Sequence, residues 1–191
     1  MTSSLSRPLP KLIAVVALQF LILGSIIGFK QYTVWTGETV LLRTQPVDPH
    51  GLVRGDRATV SYEISRLDSR DLAGDEYPSD DVYVELREAS DGYWDAVAIH
   101  DDRKRSFDGT VLIKGTLKYA GYFPGAAVRD YSIYEVEYGI EQVFIPEGSA
   151  SQIPDTTDDT VVAVEVKVDR FGNAVPRRFI VDGVPLDLER R

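Results

Sequence analysis

The sequence predicts an all-β domain, a mostly antiparallel sandwich or partly open barrel, preceded by one N-terminal transmembrane helix. Three observations predict it. An uncharged apolar run occupies Leu12 to Phe29, several later segments alternate apolar and polar residues, and no stretch beyond the first 30 residues carries a 3.6-residue apolar stripe.

The run from Leu12 to Phe29 is eighteen residues long. As a helix it rises about 27 Å, close to the hydrocarbon thickness of a bilayer. Arg7 and Lys11 stand before it, which favours a cytoplasmic N-terminus with the chain from Lys30 onward carried across. A cleaved signal peptide requires small residues at the cut. The small residues here are Gly24, Ser25 and Gly28, and Ile26 occupies the position two before Gly28, so a retained anchor is expected. Gln19 is a single uncharged amide in the run and carries no transport chemistry by itself. The expected organisation is a cytoplasmic N-terminus over 1–11, an anchor over 12–29, a linker over 30–37 and an extracytoplasmic β domain over 38–191. In the linker, Tyr32 and Trp35 suit either the membrane–water interface or packing on the domain.

Strands are expected next, in order. Thr39 to Arg43 is short and apolar. Asp56 to Arg66 reads as one half-buried strand, with Val60, Tyr62 and Ile64 on one face and Thr59, Ser61, Glu63 and Ser65 on the other. Val82, Val84 and Leu86 repeat the pattern, and Trp94 to Ile99 and Thr110 to Leu117 follow. Ile133 to Ile145 reads as a long strand whose apolar face changes parity between Ile133 and Tyr134, a sign of a bulge or bend. Val162, Val164, Val166 and Val168 form the most regular strand, and Phe179 to Val181 the last. Turn signals lie at Pro49-His50-Gly51, Asp91-Gly92, Pro124-Gly125, Pro146-Glu147-Gly148 and Gly172-Asn173. Residues 68–81 and 149–159 are acidic or polar and read as solvated loops.

Composition narrows the function. The net charge is -9. Setting aside Arg7, Lys11 and Lys30 leaves 18 basic against 30 acidic groups, or -12, on the remainder. Such a domain repels nucleic acid, which is not an expected partner. The absence of Cys excludes disulfides, thiolate nucleophiles, thiolate zinc sites and iron–sulfur clusters. An exported domain without disulfides points to a bacterial envelope. His50 and His100 lie far apart and each stands alone. No Gly-rich phosphate loop, dinucleotide fingerprint or Ca²⁺-loop spacing is present, so no cofactor or metal is expected. Arg54-Gly55-Asp56 has a structural reading: Gly55 permits a tight turn and Asp56 bonds nearby backbone as a strand begins.

Residues 42–62 contain Pro46-Val47-Asp48-Pro49, then Gly55, Asp56 and Tyr62. Further on stand Leu112 to Gly115, Tyr138-Gly139-Ile140-Glu141 and Phe144-Ile145-Pro146-Glu147-Gly148. This series, over roughly residues 38–182, resembles the membrane-anchored bacterial family named for its GDYxxLxY motif. Arg57 stands where the family has Tyr, and Val60 where it has Leu. The resemblance implies an N-terminal anchor and an external β domain, and it brings no established reaction. The motif and candidate binding residues are Pro46, Asp48, Pro49, Arg54, Gly55, Asp56, Tyr62, Tyr138, Gly139, Glu141, Pro146, Glu147 and Gly148, in a reading where the carboxylates converge on a cleft. A structural account competes, in which prolines stiffen the chain, Tyr62 packs inward and the carboxylates accept backbone N–H bonds. In outline the chain is also similar to Ser-Lys signal peptidases. However, the hydroxyls between Phe29 and Asp56 are Tyr32, Thr33, Thr36, Thr39 and Thr44, with no Ser. Lys114 and Lys118 would have no evident nucleophile to activate. The expectation is a non-enzymatic envelope interaction or assembly module, held by its N-terminal helix and acting with another membrane protein. The alternative is an envelope hydrolase with a signal-peptidase-like or carboxylate site.

Overall fold

The computed structural model describes residues 9–45, 57–74, 78–103, 108–123, 131–144 and 160–186. One helix, α1 (Leu9–Thr36), is followed by β1 (Glu38–Arg43), β2 (Arg57–Thr59), β3 (Arg66–Asp68), β4 (Ala73–Gly74), β5 (Asp81–Glu88) and β6 (Trp94–His100). Then come β7 (Thr110–Phe123), β8 (Tyr131–Glu137), β9 (Gln142–Phe144), β10 (Val162–Val168), β11 (Ala174–Val181) and β12 (Val184–Pro185). The architecture is the expected one: curled β-sheets behind a single N-terminal helix that is long and apolar enough to cross a membrane.

The strands form a four-stranded sheet β1-β10-β11-β12, a six-stranded sheet β3-β8-β7-β5-β6-β4 and the pair β2-β9. All pairings are antiparallel except β4 with β6. One apolar core fills the space between the sheets. Val40, Leu42, Val162, Val164, Val166 and Val168 enter it from the smaller sheet, and Val82, Val84, Leu86, Ile113, Tyr134 and Val136 from the larger. The period-two faces of β5 and β10 are therefore the buried faces.

Two expected strands are corrected, and the segment expected as a linker is helical. α1 runs on through residues 30–36. Gly37 ends the helix, its N–H donating to the Thr33 carbonyl at 2.9 Å. The expected strand from Asp56 to Arg66 is interrupted by a 3₁₀ turn over Glu63–Ser65. The alternation was nevertheless real: Val60, Tyr62 and Ile64 are all buried while Ser61 and Glu63 are exposed. An extended segment that turns at Glu63 keeps the same inside-outside order without continuous pairing.

The expected strand from Ile133 to Ile145 is divided at Gly139, whose φ of 73° lies in the left-handed region. Its pieces, β8 and β9, pair with different partners. The irregularity falls on the partner strand, where pairing steps from Leu117↔Val136 to Tyr119↔Glu135. In the acidic segment 68–81, Ala73 and Gly74 form the short parallel strand β4.

Candidate functional site

Tyr62 and Tyr138 are fully or nearly fully buried and fasten two segments of chain to each other. The Tyr62 hydroxyl donates to the Ile140 carbonyl at 2.8 Å. The Tyr138 hydroxyl donates to the Ile64 carbonyl at 2.7 Å. Each ring thus reaches across and satisfies a backbone carbonyl beside the other. The Val60 N–H donates to the Glu141 carbonyl at 2.7 Å, extending the join. Glu141 turns its carboxylate to the Tyr138 N–H at 2.6 Å, which fixes the tight turn that Gly139 allows. At the far side Ser65 N–H donates to the Tyr62 carbonyl at 2.9 Å, and Tyr62 N–H donates to Ser65 Oγ at 3.3 Å, closing the 3₁₀ turn.

Burial pushes both phenols above their ordinary range, and the neighbouring Glu141 carboxylate adds to the effect. Both therefore remain protonated donors. Gly115 is required against this join: a Cβ there would stand 2.4 Å from Val136 Cγ1 and 3.1 Å from Tyr138 Cδ1.

Of the thirteen residues singled out from the sequence, the structure thus brings Tyr62, Tyr138, Gly139 and Glu141 together. Pro46, Asp48, Pro49, Arg54, Gly55, Asp56, Pro146, Glu147 and Gly148 lie outside the described residues, as does His50.

Beside Tyr138 and Gly139 opens a cleft of about 310 Å³ rimmed by Lys30, Asp81, Lys114 and Glu137. Lys114 pairs with Asp81 at 3.3 Å, and Lys118 with Glu137 at 2.7 Å. The hydrogen bond to Glu137 raises the Lys118 pKa, the opposite of what a lysine base needs. Among the described residues no group of three or more His, Asp or Glu side chains is placed to hold a metal ion.

Sequence reasoning missed three polar centres. The first is Asp169, 4 % exposed, in the β10–β11 turn. Its Oδ2 accepts from Thr33 Oγ1 of α1 at 2.7 Å, and its Oδ1 accepts from the N–H groups of Phe171 at 2.8 Å and Asn173 at 3.0 Å. The Asn173 amide adds a further bond to Oδ2 at 3.0 Å. Burial pushes this carboxyl upward, but the bonds from Asn173, Thr33 and the backbone outweigh burial and hold it below the ordinary aspartate value. The turn signal at Gly172-Asn173 was legible, but the partner 136 residues away was not.

The second centre is Arg43. It stacks over the Tyr93 ring at 4.6 Å and pairs with Asp91, with Asp95 at 3.0 Å and with Glu63 at 3.6 Å. It joins β1 to the β5–β6 turn and the 3₁₀ turn.

The third is the buried pair His100 and Glu85, with Nε2 3.3 Å from Oε2. His100 Nδ1 has no partner among the described residues. β4 crosses beside this nitrogen at Gly74, where a Cβ would meet the Ile99 carbonyl at 2.0 Å.

An apolar helix clasped at Thr33 to curled sheets, with paired tyrosines locking the sheet connections, defines a helix-tethered β-domain protein. Its two locking segments, the one ending at Tyr62 and Tyr138 to Glu141, both fall within the stretch that the family model matches. The chain belongs to the GDYXXLXY protein family, whose model matches residues 19–179. No curated protein and no solved structure matches it.

Proposed function

We propose that this protein is a membrane-anchored envelope module that binds and positions another membrane protein, with its β domain outside the cytoplasm. In this reading α1 spans the cell membrane with its N-terminus in the cytoplasm. The charges before the apolar run support that orientation.

One observation carries the interaction reading. β7 pairs with β5 only as far as Thr116, and the Leu117 N–H donates to the Asp80 carbonyl at 2.7 Å. From Lys118 to Phe123, β8 is the one described strand that flanks β7. Among the described residues this arm offers an open strand edge, and open edges are templates for a partner strand. Tyr119 stands on it, 54 % exposed, with its ring over Gly121. A large exposed ring on an open edge supplies a contact of the kind enriched at binding surfaces.

The test is site-specific photo-crosslinking in native membranes, with the reactive group at Tyr119 and, as control, at the exposed Glu88 of the interior strand β5. A discrete adduct with an identified membrane protein from Tyr119 and none from Glu88 is expected. Absence of that adduct, together with turnover of a peptide or cell-wall substrate by the purified full chain, would replace this reading with the hydrolase.

A further inference from the structure

The turn held by Asp169 does more than clasp α1. An open wedge of about 680 Å³ lies between that turn and the helix, lined by Ser25, Gly28 and Tyr32 on one side and by Arg170, Phe171 and Asn173 on the other. Ser25, Gly28 and Tyr32 are spaced i, i+3 and i+7, so they share one face of α1. Ser25 and Gly28 belong to the uncharged run that ends at Phe29. Ser25 lies about 6 Å of helix rise inside that end.

The turn therefore reaches down alongside the apolar segment instead of standing above it. Phe171 is at its tip and is 43 % exposed. Two guanidinium groups flank its ring, Arg170 at 4.7 Å and Arg103 at 5.4 Å from the centroid. Arg103 also donates from Nη1 to the Arg170 carbonyl at 3.0 Å, which ties the neighbouring loop into the same patch. An exposed aromatic ring with cations beside it, on a domain that is otherwise strongly acidic, has the composition of a membrane-interface contact.

We propose that the β10–β11 turn is a second membrane contact: Phe171 enters the head-group boundary beside α1, and Arg103 and Arg170 receive lipid phosphates. The inference rests on the reading that α1 spans a bilayer. It follows from the height at which Asp169 and Thr33 fix the turn. The occupant is the lipid surface, because Ser25 and Gly28 on the helix side of the wedge belong to the uncharged run and the cations beside Phe171 complement lipid phosphates.

The chain has no Cys, so single cysteines can be introduced into the full protein and labelled with a fluorophore. Three variants suffice: Ile22→Cys in the apolar run, Phe171→Cys at the turn and Val184→Cys at the opposite end of β11. Each is reconstituted in vesicles of phosphatidylethanolamine and phosphatidylglycerol containing lipids brominated at several depths, from near the head group to the middle of the acyl chain. Fluorescence loss at positions 22 and 171, with none at 184, is the expected result. Loss at 22 with position 171 behaving like 184 overturns the second contact and leaves the anchor standing. No loss at 22 overturns the anchor and the proposal together. Adding Arg103→Gln and Arg170→Gln to Phe171→Cys should weaken quenching at 171 while leaving that at 22 unchanged. Equal quenching at 171 would remove the arginines from the contact.

Discussion

Tyr62 and Asp169 are 0 % and 4 % exposed, and each fastens one part of the chain to another. Tyr62, with Tyr138, joins the connection before β3 to the connection after β8. Asp169 joins the β10–β11 turn to α1. The first join uses neutral hydroxyls that donate to carbonyls, and its rings fill the core. The second uses a charge that collects bonds from Thr33, Asn173 and the backbone. The contrast shows how burial is reconciled with polarity in two ways. A phenol contributes mainly by packing and needs only one good acceptor. A carboxylate contributes little packing and must be surrounded by donors to remain ionised. The two joins should therefore fail under different insults.

The largest effect should come from emptying the tyrosine sites. Tyr62→Ala in the full chain should cost about 3 kcal/mol or more, by analogy with other aromatic core truncations. Urea unfolding in detergent, read by circular dichroism, measures it, and a change within error would contradict the packing role. Next, Gly115→Ala crowds Val136 and Tyr138 and should cost about 1–3 kcal/mol as an overpacked site. A neutral result would mean that the strand yields without strain.

Tyr62→Phe keeps the ring and leaves the Ile140 carbonyl without its donor, for about 1–2 kcal/mol. Titration sharpens the contrast here. The phenol is raised in the folded state, so its contribution is present below the unfolded value near ~10 and is lost as pH rises beyond it. Wild-type stability should fall in alkali more steeply than that of Tyr62→Phe.

Asp169 behaves in the opposite sense. Its folded value is lowered, so its contribution is present above the unfolded value near ~3.9 and is lost as pH falls through the folded one. Asp169→Asn should be about 1 kcal/mol less stable at neutral pH and should lose less on acidification. Unfolding midpoints across the acid range decide this, and parallel pH profiles would remove Asp169 from the account. The smallest effect belongs to an exposed pair. Arg178 reaches Glu165 across β10 and β11 at 2.8 Å, yet Arg178→Ala should change stability by less than about 1 kcal/mol.

The strands were legible where a single face is buried. β5 and β10 each bury alternate apolar residues, so parity alone identified them. The segment ending at Tyr62 was half legible: the order of inside and outside was right, but local alternation does not encode whether an extended chain finds a neighbouring strand. α1 was read as ending near Phe29 because Lys30 ends the uncharged run. In the structure helical hydrogen bonding continues until Gly37, where a Cβ would stand 2.4 Å from the Thr33 carbonyl. At the candidate site the family resemblance picked out Tyr62, Tyr138, Gly139 and Glu141 without revealing that they meet. Asp169, Arg43 and the His100–Glu85 pair left no trace in local pattern, because each draws its meaning from a residue distant in sequence or on another strand.

The unbroken course of α1 has a mechanical consequence. With no swivel between helix and sheets, the bearing of the domain is tied to the rotational phase of the helix below it. One residue inserted between Ile22 and Gly24 would turn the lower segment by about 100° and shift it by about 1.5 Å relative to everything above. The helix is a keyed shaft, and the compass direction in which the β7 arm points is written into the count of residues beneath it.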